Sequence, residues 1–93
     1  MYFNIMKAEH VSDFKIRLFF SNGKSGIVDL ESYIADGEIF SGIRAPEEFN
    51  KYFVDFGTLA WKNGDIDIAP ETLYEMATGE KIVFTQDQIH KAV

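Results

Sequence analysis

Residues 14–29 of this 93-residue chain read FKIRLFFSNGKSGIVD, and this stretch determines the fold we expect. Apolar residues alternate over its first seven positions, which is the period of a strand with one buried face. The Asn22-Gly23 pair accepts the positive φ angles of a type I′ turn, so the chain can reverse there in two residues. Residues 26–29 then return as the partner strand. The stretch therefore predicts a β-hairpin.

Residues on both sides of this hairpin predict further antiparallel strands. Residues 2–11 are expected to pair with its first arm. Residues 54–68 predict a second hairpin that reverses at Asn63-Gly64. The residues that give this segment its strand character are Val54, Phe56, Leu59 and Trp61, and those after the turn alternate as Asp65, Ile66, Asp67 and Ile68. This alternation predicts that the two isoleucines face the core and that the two carboxylates face the other way.

Three residues suit the first turn of a short helix, namely Asp29, Pro46 and Pro70. The side chains expected to face inward on the second helix and beyond it are Phe49, Tyr52 and Phe53, and those on the third are Leu73, Met76 and Ala77. Residues 85–93 predict a loosely held C-terminal helix, because Thr85 and Gln88 stand at capping-box spacing. The sequence thus predicts one α+β domain over residues 1–93, with a small antiparallel sheet built from hairpins and three or four short helices.

The composition favours a soluble cytoplasmic protein. Fifteen acidic residues against nine basic ones give a formal net charge of −6, which opposes binding to nucleic acids and to anionic membranes. The chain has no cysteine, which excludes a disulfide framework and cysteine metal sites. The first ten residues lack a signal-peptide pattern, and no apolar run approaches the ~20 residues of a membrane span. We therefore expect protein partners, without direct contact to nucleic acid or membrane.

A longer string is more specific than the fold requires. Residues 61–74 read WKNGDIDIAPETLY, and they accompany FSNG at 20–23, VDL at 28–30 and IF at 39–40. Together these motifs resemble a large bacterial family, Domain of Unknown Function 2442. Lys62 stands where many members carry proline. The resemblance implies an α+β fold and brings no established reaction, catalytic residue or cofactor.

The resemblance also bears on partners. Some members continue into a C-terminal helix-turn-helix domain, whereas others are lone domains encoded beside another small protein in pairs that look like toxin–antitoxin systems. The roughly twenty residues after Tyr74 are too few for a three-helix DNA-binding unit, so we expect a lone-domain member without that extension. We interpret the chain as a noncatalytic protein-interaction or regulatory module, antitoxin-like within a two-gene pair.

Several side chains are candidates for binding a protein partner. Trp61 and Tyr74 are of the type that dominates binding hot spots, but packing in the core is the favoured interpretation for Trp61, whereas for Tyr74 the two interpretations are closer. Phe19 falls on the strand face opposite the buried one, where an exposed apolar side chain would mark a surface for a homodimer or another protein. The full set of candidates is Phe19, Trp61, Asn63, Asp65, Asp67 and Tyr74.

The alternative hypothesis is a small metal- or ligand-binding domain with hydrolase activity. Asp65, Asp67 and Glu71 carry oxygen atoms of the kind that Ca²⁺ and Mg²⁺ prefer, and His10 is the histidine that could join them. However, Ile68 stands where a calcium loop needs glycine. No nucleophile elbow or phosphate-binding loop is present, so we predict no catalytic residue and no cofactor.

Overall fold

The computed structural model of the protein describes residues 4–80. Its strands are β1 (Ile5–Ser12), β2 (Lys15–Phe20), β3 (Ser25–Asp29), β4 (Phe53–Asp55), β5 (Thr58–Trp61) and β6 (Ile66–Ile68). Its helices are α1 (Glu31–Ala35), α2 (Pro46–Phe49) and α3 (Pro70–Thr78), and two 3-10 segments span Glu38–Ile43 and Lys62–Gly64. The helix expected over 85–93 lies outside the described residues.

The strands form two antiparallel sheets, ordered β1-β2-β3 and β4-β5-β6. The α+β class is confirmed, with the refinement that the two hairpins belong to separate three-stranded sheets. Each strand pairs with its neighbour along the chain, and the helical segment between β3 and β4 separates the two meanders. A backbone hydrogen bond links the sheets, since the Ile5 N–H donates to the Gly57 carbonyl at 2.9 Å.

The turn between β2 and β3 differs from the expected type I′ geometry. Of the Asn22-Gly23 pair, only Gly23 has a positive φ, of 88°, and its N–H donates to the Phe20 carbonyl at 3.0 Å. The Asn22 Oδ1 accepts the Lys24 N–H at 3.1 Å. The amide side chain thus bonds to the backbone two residues on, which is an arrangement that asparagine favours in turns and that does not need a left-handed Asn22. The two-residue reversal predicted at this point was wrong, although the hairpin itself is present.

Two type I′ reversals lie in the second sheet instead. Asn63 has φ 58° and ψ 27°, Gly64 has φ 93°, and the Asp65 N–H donates to the Lys62 carbonyl at 3.0 Å. This confirms the turn predicted at Asn63-Gly64. The other reversal joins β4 to β5 at Phe56-Gly57, whose φ angles are 49° and 79°. The sequence had indicated that Phe56 was a strand residue, and that prediction was wrong.

The core lies between the two sheets and the helices. It includes Ile16, Leu18 and Val28 from the first sheet, Leu59, Trp61 and Ile68 from the second, and Phe49, Leu73 and Tyr74 from the helices. The predicted alternation of β6 is confirmed, because Ile66 and Ile68 are buried while Asp67 is exposed. Two inward-facing predictions were wrong: Met76 and Phe53 are exposed. Tyr74 fills the position toward the core that the prediction assigned to Met76.

The helices are short; α2 and α3 begin at the predicted prolines, whereas α1 begins at Glu31 with Leu30, and not Asp29, at its N-cap position. The Asp29 Oδ1 accepts the Glu31 N–H at 3.1 Å, and Pro46 and Pro70 are the first residues of α2 and α3. α3 packs closely on β3, since a β-carbon at Gly26 would overlap the Ala77 carbonyl oxygen. Within residues 4–80, no helix is long and apolar enough to cross a membrane.

Candidate interaction surface

The second sheet has one core face and one outer face. Cross-strand pairing places Phe53 opposite Ala60, and Ala60 opposite Asp67, so these side chains form a row on the outer face. Asp55 lies two residues after Phe53 and therefore on the same face. Ala60 is nonetheless buried, whereas 36% of Phe53 is exposed. This row therefore combines a buried small residue with larger side chains that remain in contact with solvent.

Acidic side chains lie on this outer face and in the β5–β6 connection beside it. Asp65 and Asp67 are exposed, and Asp55 is half-buried. A β-carbon at Gly64 would lie 3.8 Å from the Asp55 Oδ2, so the β5–β6 turn comes close to that carboxylate. We call the surface formed by Phe53, Asp55, Asp65 and Asp67 the acidic sheet face.

The cation nearest to this face along the chain is directed elsewhere. Lys62 has a left-handed φ of 55°, and its Nζ forms an ion pair with Glu48 of α2. Lys51 forms an ion pair with the other oxygen of Glu48, at 3.0 Å. The bonds from Lys62 and then Lys51 hold the pKa of Glu48 below its usual range. Both lysine ammonium groups are thus directed toward Glu48 of α2.

Phe56 occupies the tip of the β4–β5 hairpin, at the edge of this face. Its side chain is 97% exposed, and its φ of 49° is one that residues with a β-carbon rarely adopt. The first position of a type I′ turn favours asparagine, aspartate or glycine. A left-handed backbone costs about 1–2 kcal/mol for an ordinary residue, and an exposed ring recovers none of this by packing. Phe56 is therefore unfavourable for the stability of the isolated chain.

Other exposed apolar side chains lie around the same turn. β1 runs beside it, because the Ile5 N–H bonds to Gly57 and a β-carbon at Gly57 would lie 2.7 Å from the Asn4 Oδ1. The next residue, Met6, lies at an irregularity in the β1–β2 register and is 67% exposed. Val54, on β4, is also exposed. The hairpin tip thus combines aromatic and aliphatic side chains beside the acidic sheet face.

Trp61 and Tyr74, two of the predicted partner-binding residues, lie in the core. Trp61 is fully buried, and its Nε1–H donates to the Phe49 carbonyl at 2.7 Å. The Tyr74 ring is buried edge-on against Phe20, with 5.1 Å between ring centroids. Both side chains therefore pack in the core, which was the alternative to a place on an exposed binding surface. Contact of either ring with a partner stays a prediction.

The hydroxyl of Tyr74 reaches the edge of the core and ties α3 to the first hairpin. It accepts a hydrogen bond from the Asn22 Nδ2 at 3.2 Å and donates one to the Glu80 Oε1 at 3.0 Å. Glu80 also forms an ion pair with Lys24. The bonds from Lys24 and then Tyr74 hold the pKa of Glu80 below its usual range, and the bond to Glu80 raises the pKa of Lys24. This network fastens the end of α3 to the β2–β3 turn.

Phe19 lies on the other sheet, apart from the remaining candidates. It is half-buried on the face of β2 opposite the core, and the Lys7 Nζ lies 5.6 Å from its ring centroid. Lys7 also forms an ion pair with Glu9 at 3.1 Å. The predicted set is therefore divided: Asn63 and Asp65 lie in the β5–β6 connection, Asp67 lies on β6, and Phe19 lies under a lysine on the first sheet.

The residues of the alternative metal site are not gathered into one cluster. Among residues 4–80, no group of three or more histidine, aspartate or glutamate side chains is placed to hold a metal ion. Asp65, Asp67 and Glu71 accordingly form no such group. His10 is on β1, in the other sheet, with its Nε2 2.9 Å from the Asp13 carbonyl oxygen.

Phe56 and Met6 are the surface residues that sequence reasoning missed. Phe56 fitted an alternating strand pattern, and its place in a turn is visible only once β4 and β5 are paired. The one local signal was Gly57, two residues after an aspartate and just before a second apolar stretch, a spacing that suits a tight hairpin. Met6 carried no signal, because its exposure depends on an irregular β1–β2 register.

Comparison with known proteins places the chain in a family without a described activity. A family model described as "Protein of unknown function (DUF2442)" matches residues 5–79. The matched range covers every strand and helix of the described structure, from Ile5 at the start of β1 to Thr78 at the end of α3. No curated protein and no solved structure shows significant similarity to this chain.

Proposed function

We propose that this chain, which belongs to the DUF2442 family, is a noncatalytic protein-interaction module that binds its partner through the β4–β5 hairpin tip. The partner is another protein or a second copy of the chain. Phe56 is the anchor of this surface, with Met6, Val54 and Phe53 around it. The acidic residues first singled out in the sequence, Asp65 and Asp67, border it.

One observation carries this proposal: Phe56 combines near-complete exposure with a left-handed φ. The backbone conformation lowers the stability of the isolated chain, the exposed ring recovers none of that cost by packing, and asparagine or glycine would adopt the same conformation more easily. A strained, exposed aromatic residue becomes favourable when its ring enters a pocket of a partner, because aromatic anchors contribute disproportionately to binding. Burial of the Phe56 ring in a partner thus offsets the free-energy cost of its backbone conformation.

A more specific proposal for this interaction module is a cytoplasmic regulatory role as the antitoxin-like member of a two-gene pair. Its support is the resemblance to lone-domain members of the family, which is an argument by association. The hairpin surface is compatible with it, since an antitoxin-like protein needs a face that covers a partner protein. Expression of the neighbouring gene product with and without this chain tests the role directly. Growth arrest that this chain relieves supports it, and unchanged growth in both cultures contradicts it.

The test of the interaction module compares Phe56→Asn with the wild-type chain. Each protein is expressed with a tag in the native host, and co-purifying proteins are identified and their stoichiometry is measured. A partner recovered near equimolar amounts with the wild type is then purified, and its Kd for both chains is determined. Loss of an anchor costs at least about 2 kcal/mol, so we expect Kd to rise by about 30-fold or more.

Ile39→Asn is the matched control, because Ile39 is an exposed apolar residue on the 3-10 segment Glu38–Ile43, away from the hairpin tip. This variant should bind as the wild type does. Equal weakening by both substitutions would show that exposed apolar residues contribute without a defined site. A wild-type chain that neither captures a stoichiometric partner nor self-associates contradicts the proposed function.

A further inference from the structure

We infer that the partner of the hairpin tip is a different protein with an apolar recess bordered by lysine or arginine side chains. This inference rests on the proposed function, and it defines the chemistry of the surface that Phe56 enters. It depends on the charges beside the tip, whereas the proposed function depends on the exposure and backbone conformation of Phe56.

The shape of the hairpin tip favours a partner with a recess. Phe56 is at the end of a two-residue turn, and with 97% of its side chain exposed the ring projects from the molecule. Phe53 and Val54 precede it on β4 and are exposed on opposite faces of the sheet, so apolar side chains lie on both sides of the turn. A projecting ring with apolar side chains at its base is buried best by a concave apolar surface, where hot-spot residues are usually found.

The negative charge beside the hairpin tip favours a partner whose recess is bordered by basic residues. Asp55 directly precedes Phe56, and Asp65 and Asp67 extend the negative charge across the acidic sheet face. The lysines closest along the chain, Lys51 and Lys62, are both engaged by Glu48. A partner that covered this face with carboxylates or with a purely apolar surface would leave the aspartates repelled or desolvated without a counter-charge. Lysine or arginine at the border of the recess satisfies them.

The same charges argue against a symmetric pair of identical chains. In a twofold dimer the same surface patch meets itself, so two copies of Asp55, Asp65 and Asp67 would face each other. Two chains that each carry a formal net charge of −6 also repel at long range. A head-to-tail contact with the outer face of the first sheet, where Lys15 and Arg17 are exposed, is the remaining way for a second copy to bind. That arrangement is one of the outcomes that the experiment below separates.

Photocrosslinking from position 56 identifies what the ring enters. Phe56→p-benzoylphenylalanine places a photoreactive ring at the hairpin tip of the full chain, which is expressed in the native host and irradiated. The cross-linked peptide is identified by mass spectrometry. We expect an apolar segment of another protein with lysine or arginine close by in its sequence or structure. Tyr33→p-benzoylphenylalanine, at an exposed position of α1, is the control and should not yield this product.

A charge-neutralising pair of variants measures the basic border with the purified partner. Asp65→Asn with Asp67→Asn should slow association on the order of tenfold at low salt, with a much smaller effect at high salt, because electrostatic steering is screened by ions. Asp36→Asn with Glu38→Gln also removes two negative charges, at exposed positions outside the acidic sheet face. This matched control should leave the rate nearly unchanged.

The outcomes distinguish the two proposals. A cross-link into a basic-bordered segment together with the charge-specific rate loss supports both. A cross-link to another copy of this chain, or to a protein whose binding is insensitive to salt and to the aspartate changes, overturns the inference and leaves the interaction module standing. Equal yields from positions 56 and 33 overturn both.

Discussion

Trp61 and Phe56 are two aromatic residues of the same sheet, and their environments are opposite. Trp61, at the end of β5, is fully buried and donates a hydrogen bond to Phe49, whereas Phe56, in the turn before β5, is almost entirely exposed. Trp61 has an extended backbone with φ −139°, and Phe56 has a left-handed one. Trp61 stabilises the fold, whereas Phe56 lowers its stability.

This contrast suggests a division of labour within the second sheet. The core face holds Leu59, Trp61, Ile66 and Ile68 and attaches the sheet to the rest of the molecule. The outer face and the hairpin tip carry the acidic and apolar side chains that we assign to binding. Substitutions of Trp61 and of Phe56 should therefore change stability in opposite directions.

Trp61→Ala has the largest expected effect. Removing a buried aromatic ring leaves a cavity, so the free energy of unfolding should fall by about 3–5 kcal/mol. Urea unfolding followed by circular dichroism measures the change, since the variant lacks the only tryptophan. A loss below about 1 kcal/mol would contradict the burial of Trp61.

Trp61→Phe provides a milder version if the alanine variant does not fold. It keeps most of the ring and removes the N–H, so the Phe49 carbonyl loses its donor. We expect a loss of about 1–3 kcal/mol, the usual penalty for leaving one buried partner without a hydrogen bond.

Tyr74→Phe should have the next largest effect on stability. Its ring is buried, and its hydroxyl lies at the edge of the core. The substitution removes the hydrogen bonds to Asn22 and Glu80 while the ring still packs on Phe20. Unfolding free energy should fall by about 1 kcal/mol, measured by urea denaturation. Tyr33→Phe, on the exposed face of α1, should change it by less than about 0.5 kcal/mol. Equal effects of the two substitutions would show that the Tyr74 network contributes nothing to stability.

Phe56→Asn should stabilise the fold. Asparagine accepts the left-handed backbone that phenylalanine strains, and the exposed ring makes no packing contribution, so we expect a gain of about 1 kcal/mol. Thermal and urea unfolding of the isolated chain test this without any partner. Phe53→Asn is the control, because it uncovers Ala60 on the neighbouring strand and should destabilise. Destabilisation by Phe56→Asn would mean that the ring packs on the molecule.

Lys62→Met should have the smallest effect on stability, and its consequence is measured best as a change in the pKa of Glu48. Its hydrogen bond is the first cause of the lowered pKa of Glu48, so that pKa should rise toward its usual range in the variant. Because the pKa is lowered in the folded state, the stabilisation is present above the unfolded-state value and is lost as the pH falls through the folded-state value. A pH titration of the Glu48 carboxyl carbon by NMR measures the shift.

Lys51→Met is the matched comparison for this titration, since Lys51 binds the same carboxylate. It should raise the pKa of Glu48 less than Lys62→Met does. An unmoved titration in Lys62→Met would show that the ion pair is not formed in solution. Lys62 would then be free to neutralise the acidic sheet face.

Local sequence signals were reliable where the local chemistry has one good solution. Pro46 and Pro70 begin helices, Asn63-Gly64 forms the expected type I′ turn, and Ile66 and Ile68 face inward. Each of these follows from a property of the residue and its immediate neighbours, namely a fixed φ, a tolerated positive φ or a period of two. The same signals identified Asp65 and Asp67 as solvent-facing.

Local signals failed where a side chain had two acceptable environments. Asn22-Gly23 has the same composition as Asn63-Gly64, yet Asn22 binds Lys24 and Tyr74 and the turn takes another form. Phe56 fitted a strand pattern, and Met76 and Tyr74 both fitted the packing stripe of α3. The Asn22 amide also bonds to Tyr74, 52 residues away, whereas Phe56 lies in a turn because Asp55 pairs with Thr58.

The amino-acid sequence was sufficient for the α+β class, the family, the first residues of α2 and α3 and the acidic alternation of β6, because these depend on interactions within a few residues. It could not give the division into two sheets, the burial of Trp61 and Tyr74, or the exposure of Phe56. Those depend on which strands pair and which faces meet, and so on contacts such as Trp61 with Phe49 and Ile5 with Gly57. The binding surface proposed for this protein arises from that second group.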